Sequence, residues 1–196
     1  MQSSKPDTLA LLGGAFNPVH FGHLAIAEAA HLELGYTFIL FIPSSIPAHK
    51  EADRDTPPAD RVAMTELAVS DIDYIHVETC EIERGGVSYT IDTLDYIKRN
   101  YDFEGKPGLI IGDDLVEGFH SWRDADAVAE QVDLIIARRN TVRKKELDYE
   151  HVYLDNQVID AASSDIREMV RNGESIDGYV PESVKRYIDQ HRLYRW

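Results

Sequence analysis

Apolar positions along this chain fall into two kinds of run that alternate. Short, nearly unbroken stretches of strand length recur at residues 8–12, 37–42, 74–77, 108–111, 132–137 and 151–154. A run without alternation fits a parallel strand covered on both faces, because both sides of its pleat meet apolar layers; periodicity alone would also allow a buried helix fragment. Between these runs the spacing becomes helical. From Leu24 onward Ala25, Ala27, Ala29 and Ala30 favour helix, while Ile26, Leu32 and Leu34 supply apolar bulk. Pro58 and Ala59 open a second helix with Val62, Ala63, Leu67 and Ala68 on one side. Ile91, Leu94 and Ile97 mark a third, starting at Ser88, and an alanine-rich stretch at 123–130 a fourth. Asp165 and Glu168 fit a capping box opening a helix that Asn172-Gly173 stops, and Pro181 opens a last one with Val184, Tyr187 and Ile188 inward.

The connecting stretches read as loops. Pro43 and Pro47 exclude regular structure after the second strand, residues 81–88 are charged and contain Gly85-Gly86, and residues 140–149 are charged and solvated. Alternating strand and helix with short links predicts an α/β fold: a parallel β-sheet flanked by helices on both faces. Residues 1–196 are expected to form one domain, with 163–196 a small helical C-terminal part.

Composition narrows the setting. The 196 residues are 43% hydrophobic and 28% charged, as in a globular protein, and the formal net charge of −15 argues against nucleic-acid binding by overall field. Anionic small substrates remain compatible, since local cations can reverse the field inside a cleft. The single Cys80 excludes an internal disulfide framework, and no stretch resembles a membrane span or a signal peptide, so a cytoplasmic location without membrane association is expected.

The candidate chemistry gathers where the apolar runs end. Residues 11–23, Leu-Leu-Gly-Gly-Ala-Phe-Asn-Pro-Val-His-Phe-Gly-His, read as strand, glycine turn and helix start, with His20 and His23 at or just inside the helix. A helix start is an anion seat, and an unfavourable place for a cation unless an anion occupies it. Arg167 falls in the first turn of a late helix and raises the same question. His49-Lys50, Gly112-Asp113-Asp114 and Arg138-Arg139 follow other strands, at the ends where ligands of open parallel sheets bind. The common phosphate fingerprints, Gly-x-x-x-x-Gly-Lys-[Ser/Thr] and Gly-x-Gly-x-x-Gly, are both missing.

The run from Gly13 to His23 resembles the His-x-Gly-His signature of the nucleotidylyltransferase superfamily, and Ser163-Ser-Asp-Ile-Arg167 resembles its second signature. Residues 42–50, 88–94, 111–115 with Trp122-Arg123, and 179–188 extend the similarity over nearly the whole chain, to bacterial nicotinate-nucleotide adenylyltransferases. The resemblance implies a Rossmann-like nucleotidylyltransferase fold and adenylyl transfer from ATP to nicotinate mononucleotide, with Mg2+ as cofactor. It implies that His20, His23 and Arg167 are catalytic. Gly13, Gly14, Ala15, Phe16, Gly112, Asp113, Arg138, Ser164 and Ile166 would join those three in binding ATP. Lys50, Tyr89, Thr90 and Trp122 would bind the acceptor, with Thr90 at the nicotinate carboxylate and Trp122 stacked on the pyridine ring. No direct metal ligand is assigned, Asp113 being the one candidate. Asn17 departs from the aspartate common in the family, which leaves a metal role there in doubt. The rivals are another adenylyl- or cytidylyltransferase, accepting nicotinamide mononucleotide or phosphopantetheine, and a nucleotide-binding regulator without turnover. A homo-oligomer is left open.

Overall fold

The computed structural model describes residues 8–48, 56–139, 147–159 and 162–195. Six strands form one sheet: β1 (Leu9–Gly14), β2 (Phe38–Pro43), β4 (Ile75–Val77), β6 (Gly108–Gly112), β7 (Asp133–Ala137) and β8 (His151–Tyr153). Their order is β4-β2-β1-β6-β7-β8, and every ladder is parallel. The six apolar runs thus become the six strands of a Rossmann-like sheet.

Side chains alternate between two apolar layers, as a two-fold pleat requires. Ala10, Leu12, Ile39, Phe41 and Ile135 point to one layer with α1 (Phe21–Leu34), α2 (Pro58–Val69), α6 (Ser163–Asn172) and α7 (Glu182–His191). Leu9, Leu11, Leu40, Ile42 and Leu134 point to the other, with α3 (Cys80–Arg84), α4 (Thr90–Asn100) and α5 (Ala125–Gln131). Residues after Ser163 share the first layer through Ile166, Val180, Val184, Ile188 and Leu193. From β1 the chain fills the sheet to one side, then returns through β6 to fill the other. That reversal falls beside Gly14 and Gly112, and it is outside such a switch point that ligands of open parallel sheets sit.

Three local expectations need correction. Residues 43–50 and 81–88, read as irregular, contain β3 (Ile46–Pro47) and β5 (Val87–Ser88), which pair in parallel as a separate two-stranded sheet. Pro47 is tolerated because it lies in a short strand outside the main sheet, and the Ile46 N–H makes the bond to Gly86 O at 3.2 Å. The second of these loops also contains α3. Helix α6 begins two residues before Asp165, whose carboxylate reaches back to the Ala162 N–H at 3.4 Å; Glu168 takes no part in that cap.

Candidate active site at the carboxyl end of the sheet

The turn after β1 is shaped from inside. Phe16 adopts a left-handed conformation (φ 48°) and drives its ring into the core, stacked on Phe41 with centroids 5.1 Å apart and tilted against His23 at 4.9 Å. The backbone cost of that conformation is offset by burial of the ring. Gly13 and Ala15 are left exposed, and a side chain at Gly13 would meet open space.

His20 and His23 then cap α1 reciprocally. The Gly22 N–H donates to His20 Nδ1 at 3.1 Å, and the His20 N–H donates to His23 Nδ1 at 3.2 Å, with the rings 3.8 Å apart. The pair does the work of a Ser/Glu capping box with imidazoles. An accepting Nδ1 carries no proton, so each ring holds its proton on Nε2, on the far side from the backbone. His20 is only 5 % exposed, and burial, with the Arg139 charge adding to it, lowers its pKa to about 4. It is therefore neutral and a fixed N–H donor near neutral pH. At His20 the helix start does not hold a misplaced cation; both imidazoles cap the backbone through Nδ1, with Nε2 on the side away from it. Gly22 is part of the device, because a Cβ there would lie 2.9 Å from His20 Cε1 and Nδ1.

Other elements grip this turn from outside. Arg167 Nη1 donates to Asn17 O at 2.8 Å and Ser163 Oγ to Pro18 O at 3.0 Å, so the second signature docks on the first. Tyr194 donates its hydroxyl hydrogen to Asn17 Oδ1 at 2.7 Å. Arg61 of α2, 5 % exposed, donates from Nη1 to Ala15 O at 2.7 Å and reaches Ser45 O at 3.5 Å. Ser45 N–H donates to Ser88 Oγ at 3.0 Å, carrying the connection on to the residue before Tyr89. Sequence reading missed Arg61 and Tyr194; the buried side of α2 runs through Arg61, Met64, Thr65, Ala68 and Val69, and of the expected Val62, Ala63, Leu67 and Ala68 only Ala68 is buried, with Leu67 exposed.

The remaining sequence candidates separate. Gly112 lies under the Asp114–Arg139 ion pair (3.5 Å), and a Cβ there would strike Arg139 at 2.9 Å. Asp113 is buried and accepts the Arg139 N–H at 3.2 Å. Arg138, chosen from sequence, pairs with Asp155 at 3.0 Å, whereas it is the charge of Arg139 that reaches His20. Ser164 is exposed in the first turn of α6. Ile166 is fully buried and its N–H bonds Ala162 O at 3.1 Å, so its visible duty is packing. Tyr89 precedes Thr90, the first residue of α4, where backbone N–H groups lack helical partners. Arg123 stacks over the Tyr89 ring at 4.9 Å and pairs with Asp92 at 3.5 Å, which brings the half-buried Trp122 to the same region. Beneath lies a buried polar contact absent from the sequence reading: Thr93 donates to Glu81 Oε1 at 2.6 Å, and burial raises the Glu81 pKa. Lys50 lies outside the described residues.

No cluster of three or more His, Cys, Asp or Glu suited to a metal occurs among the described residues. Asn17 Oδ1 and Asp113 Oδ1 are each engaged by a donor, so a magnesium cage made of protein groups does not fit these residues. Among the described residues no helix is long and apolar enough to cross a membrane.

The chain is similar to known proteins. The family model described as cytidylyltransferase-like matches residues 11–169, from the first signature through the second. A probable nicotinate-nucleotide adenylyltransferase of Borrelia garinii subsp. bavariensis is 37% identical over 186 residues, covering 95% of this chain and 94% of its own. One from Treponema pallidum is 34% identical over 201 residues, covering 95% and 98%. Among solved structures, the Plasmodium falciparum nicotinic acid mononucleotide adenylyltransferase in complex with NaAD superposes with a TM-score of 0.76 at 18% identity, covering 96% of this chain and 97% of that one. At that identity the superposition speaks for the fold, while the family match over residues 11–169 runs through both signatures. This chain is thus a nucleotidyltransferase enzyme and belongs to the nicotinate-nucleotide adenylyltransferase family.

Proposed function

We propose that the chain transfers the adenylyl group of ATP to nicotinate mononucleotide, giving nicotinate adenine dinucleotide and pyrophosphate. An oxygen of the acceptor 5′-phosphate attacks the α-phosphorus of ATP. A new P–O bond forms as the bond from that phosphorus to the α,β-bridging oxygen breaks, and pyrophosphate leaves with the electron pair. The acceptor phosphate is largely dianionic at neutral pH, so no side chain has to remove a proton. What remains for the protein is alignment and neutralisation of charge.

The observation that carries this reading is the anchoring of both imidazoles by Nδ1, which fixes the direction of each Nε2 at the start of α1. In this reading His20 and His23 donate from Nε2 to phosphoryl oxygens, and Gly13, Gly14, Ala15 and Phe16 let the backbone approach. Arg167, with Ser164 at the start of α6, holds the β- and γ-phosphates. Arg138 and Gly112-Asp113 border the adenylate side, with Arg139 bonded through its N–H to Asp113. Thr90 and its helix-start N–H groups receive the nicotinate carboxylate, and Trp122 covers the ring. Magnesium enters on the substrate, as the MgATP chelate held by phosphates and water, and no protein group is assigned to it.

The test is pyrophosphate release by the purified chain with MgATP and each of three acceptors: nicotinate mononucleotide, nicotinamide mononucleotide and phosphopantetheine. Turnover favouring nicotinate mononucleotide, with the dinucleotide formed in equal amount, is expected. Turnover confined to phosphopantetheine overturns the acceptor. Tight ATP binding with no turnover on any of them makes the chain a nucleotide-binding regulator.

A further inference from the structure

After α7 the chain makes a hook. Arg192 and Tyr194 both have left-handed backbone (φ 53° and 64°), and neither is glycine. Two such residues within three positions are held only where the surroundings over-determine them. Here the hook turns Leu193 and Tyr194 into the first apolar layer, leaving Tyr194 2 % exposed. Burial of the ring would be served equally well by phenylalanine. The hydroxyl has a separate destination: it donates to Asn17 Oδ1 at 2.7 Å, across 177 residues of sequence, and lies 3.9 Å from Met64 Sδ.

Asn17 sits in the turn that ends in His20. That turn is held through its backbone at Asn17 O by Arg167, at Pro18 O by Ser163 and at the Phe21 N–H by Tyr179 O, 2.9 Å away. Tyr194 grips the side chain of Asn17, while Arg167 holds the carbonyl of the same residue. With both held, rotation of the Asn17 peptide, which would swing Pro18, Val19 and the His20 ring, is blocked.

We propose that Tyr194 is a positioning residue for adenylyl transfer: its hydroxyl fixes the Asn17 amide oxygen and, through it, the backbone that aims His20 at the transferring phosphoryl group. The inference rests on the adenylyl-transfer reading above. It gives the last turn of the chain a place in the site without any contact with substrate.

The experiment compares wild type with Tyr194→Phe, Asn17→Leu and the double variant. Tyr194→Phe keeps the ring and removes only the hydroxyl. Its kcat is expected to fall about tenfold while KM for ATP and for the acceptor stay within about twofold, because alignment is lost and binding contacts are not. The double variant should lose no more than Asn17→Leu alone, since both changes break one contact. Met64→Leu, which removes the sulfur beside the hydroxyl, should leave kcat unchanged. The 15N shifts of the histidine side chains supply a readout independent of turnover: wild type shows His20 and His23 as Nε2–H tautomers, and Tyr194→Phe shows them averaged. Unchanged kcat and unchanged shifts overturn the proposal, as do additive losses in the double variant. A Tyr194→Phe chain that does not fold also overturns it, by making the hydroxyl a requirement of folding. Absence of turnover in wild type would strike the adenylyl-transfer reading instead, and the histidine shifts would still report on the hook.

Discussion

At the scale of single residues, the first signature joins a structural duty to the chemical one proposed for it. His20 caps a helix with the nitrogen that must stay unprotonated, and the same bond presents its other nitrogen as a donor. Its folded pKa of about 4 lies below the ordinary value of 6.5, which fixes the sign of a pH effect. Above 6.5 the residue is neutral in both states and its contribution is complete. As pH falls from there toward 4, the unfolded chain takes up a proton that the folded one refuses, and stability drops by up to about 3 kcal/mol. Urea titrations across that window should show the slope in wild type and lose it in His20→Asn, where an amide caps without titrating; equal slopes would refute the assignment. Gly22 makes a second case. Alanine is favoured over glycine inside a helix by about 1 kcal/mol, so Gly22→Ala should not weaken α1 itself. Its Cβ would nevertheless displace the His20 ring from 2.9 Å, and kcat should fall about tenfold or more with the urea midpoint nearly unmoved.

At the scale of elements, the site depends on connections that no single motif contains. Helix α2 sends Arg61 inward, and its guanidinium joins the turn after β1 to the loop after β2 through Ala15 O and Ser45 O. The β3–β5 pair and the Ser45–Ser88 bond then tie that loop to the start of α4. Arg61→Met keeps the stem and removes the charge-assisted bonds; about 2 kcal/mol of stability should go. If the guanidinium couples the two substrate regions, both KM values rise together, which steady-state kinetics would show; a change in neither KM would reduce Arg61 to packing. The main strands and most helices were legible because each carries its own periodicity. The β3–β5 pair was not. Its strands are two residues long, 41 positions apart in sequence, and one contains proline, so neither has a local signature. The start of α6 was misread for a related reason: Asp165 bonds backward to Ala162 from inside the helix, and the same residue types can also cap from outside.

At the scale of the whole molecule, the proposed function has a chain with a net charge of −15 meet two polyanions through a few cations brought to the carboxyl end of the sheet. Arg167 reaches it because α6 docks on the turn after β1, and Arg139 because β7 ends beside β6. Several things follow from sequence alone: six strands, the helices between them, the glycine-bounded turn and the two histidines at a helix start. Each is encoded over a few consecutive residues, through burial on both faces, helical spacing or turn chemistry. Tertiary structure decided the rest. It chose Arg139 over Arg138 as the charge felt by His20, recruited Arg61 from the interior and closed Tyr194 onto Asn17 across 177 positions. It also set which nitrogen of each histidine bears the proton, because that depends on which backbone N–H each ring meets, a fact of distance and direction in the folded chain that no local pattern carries.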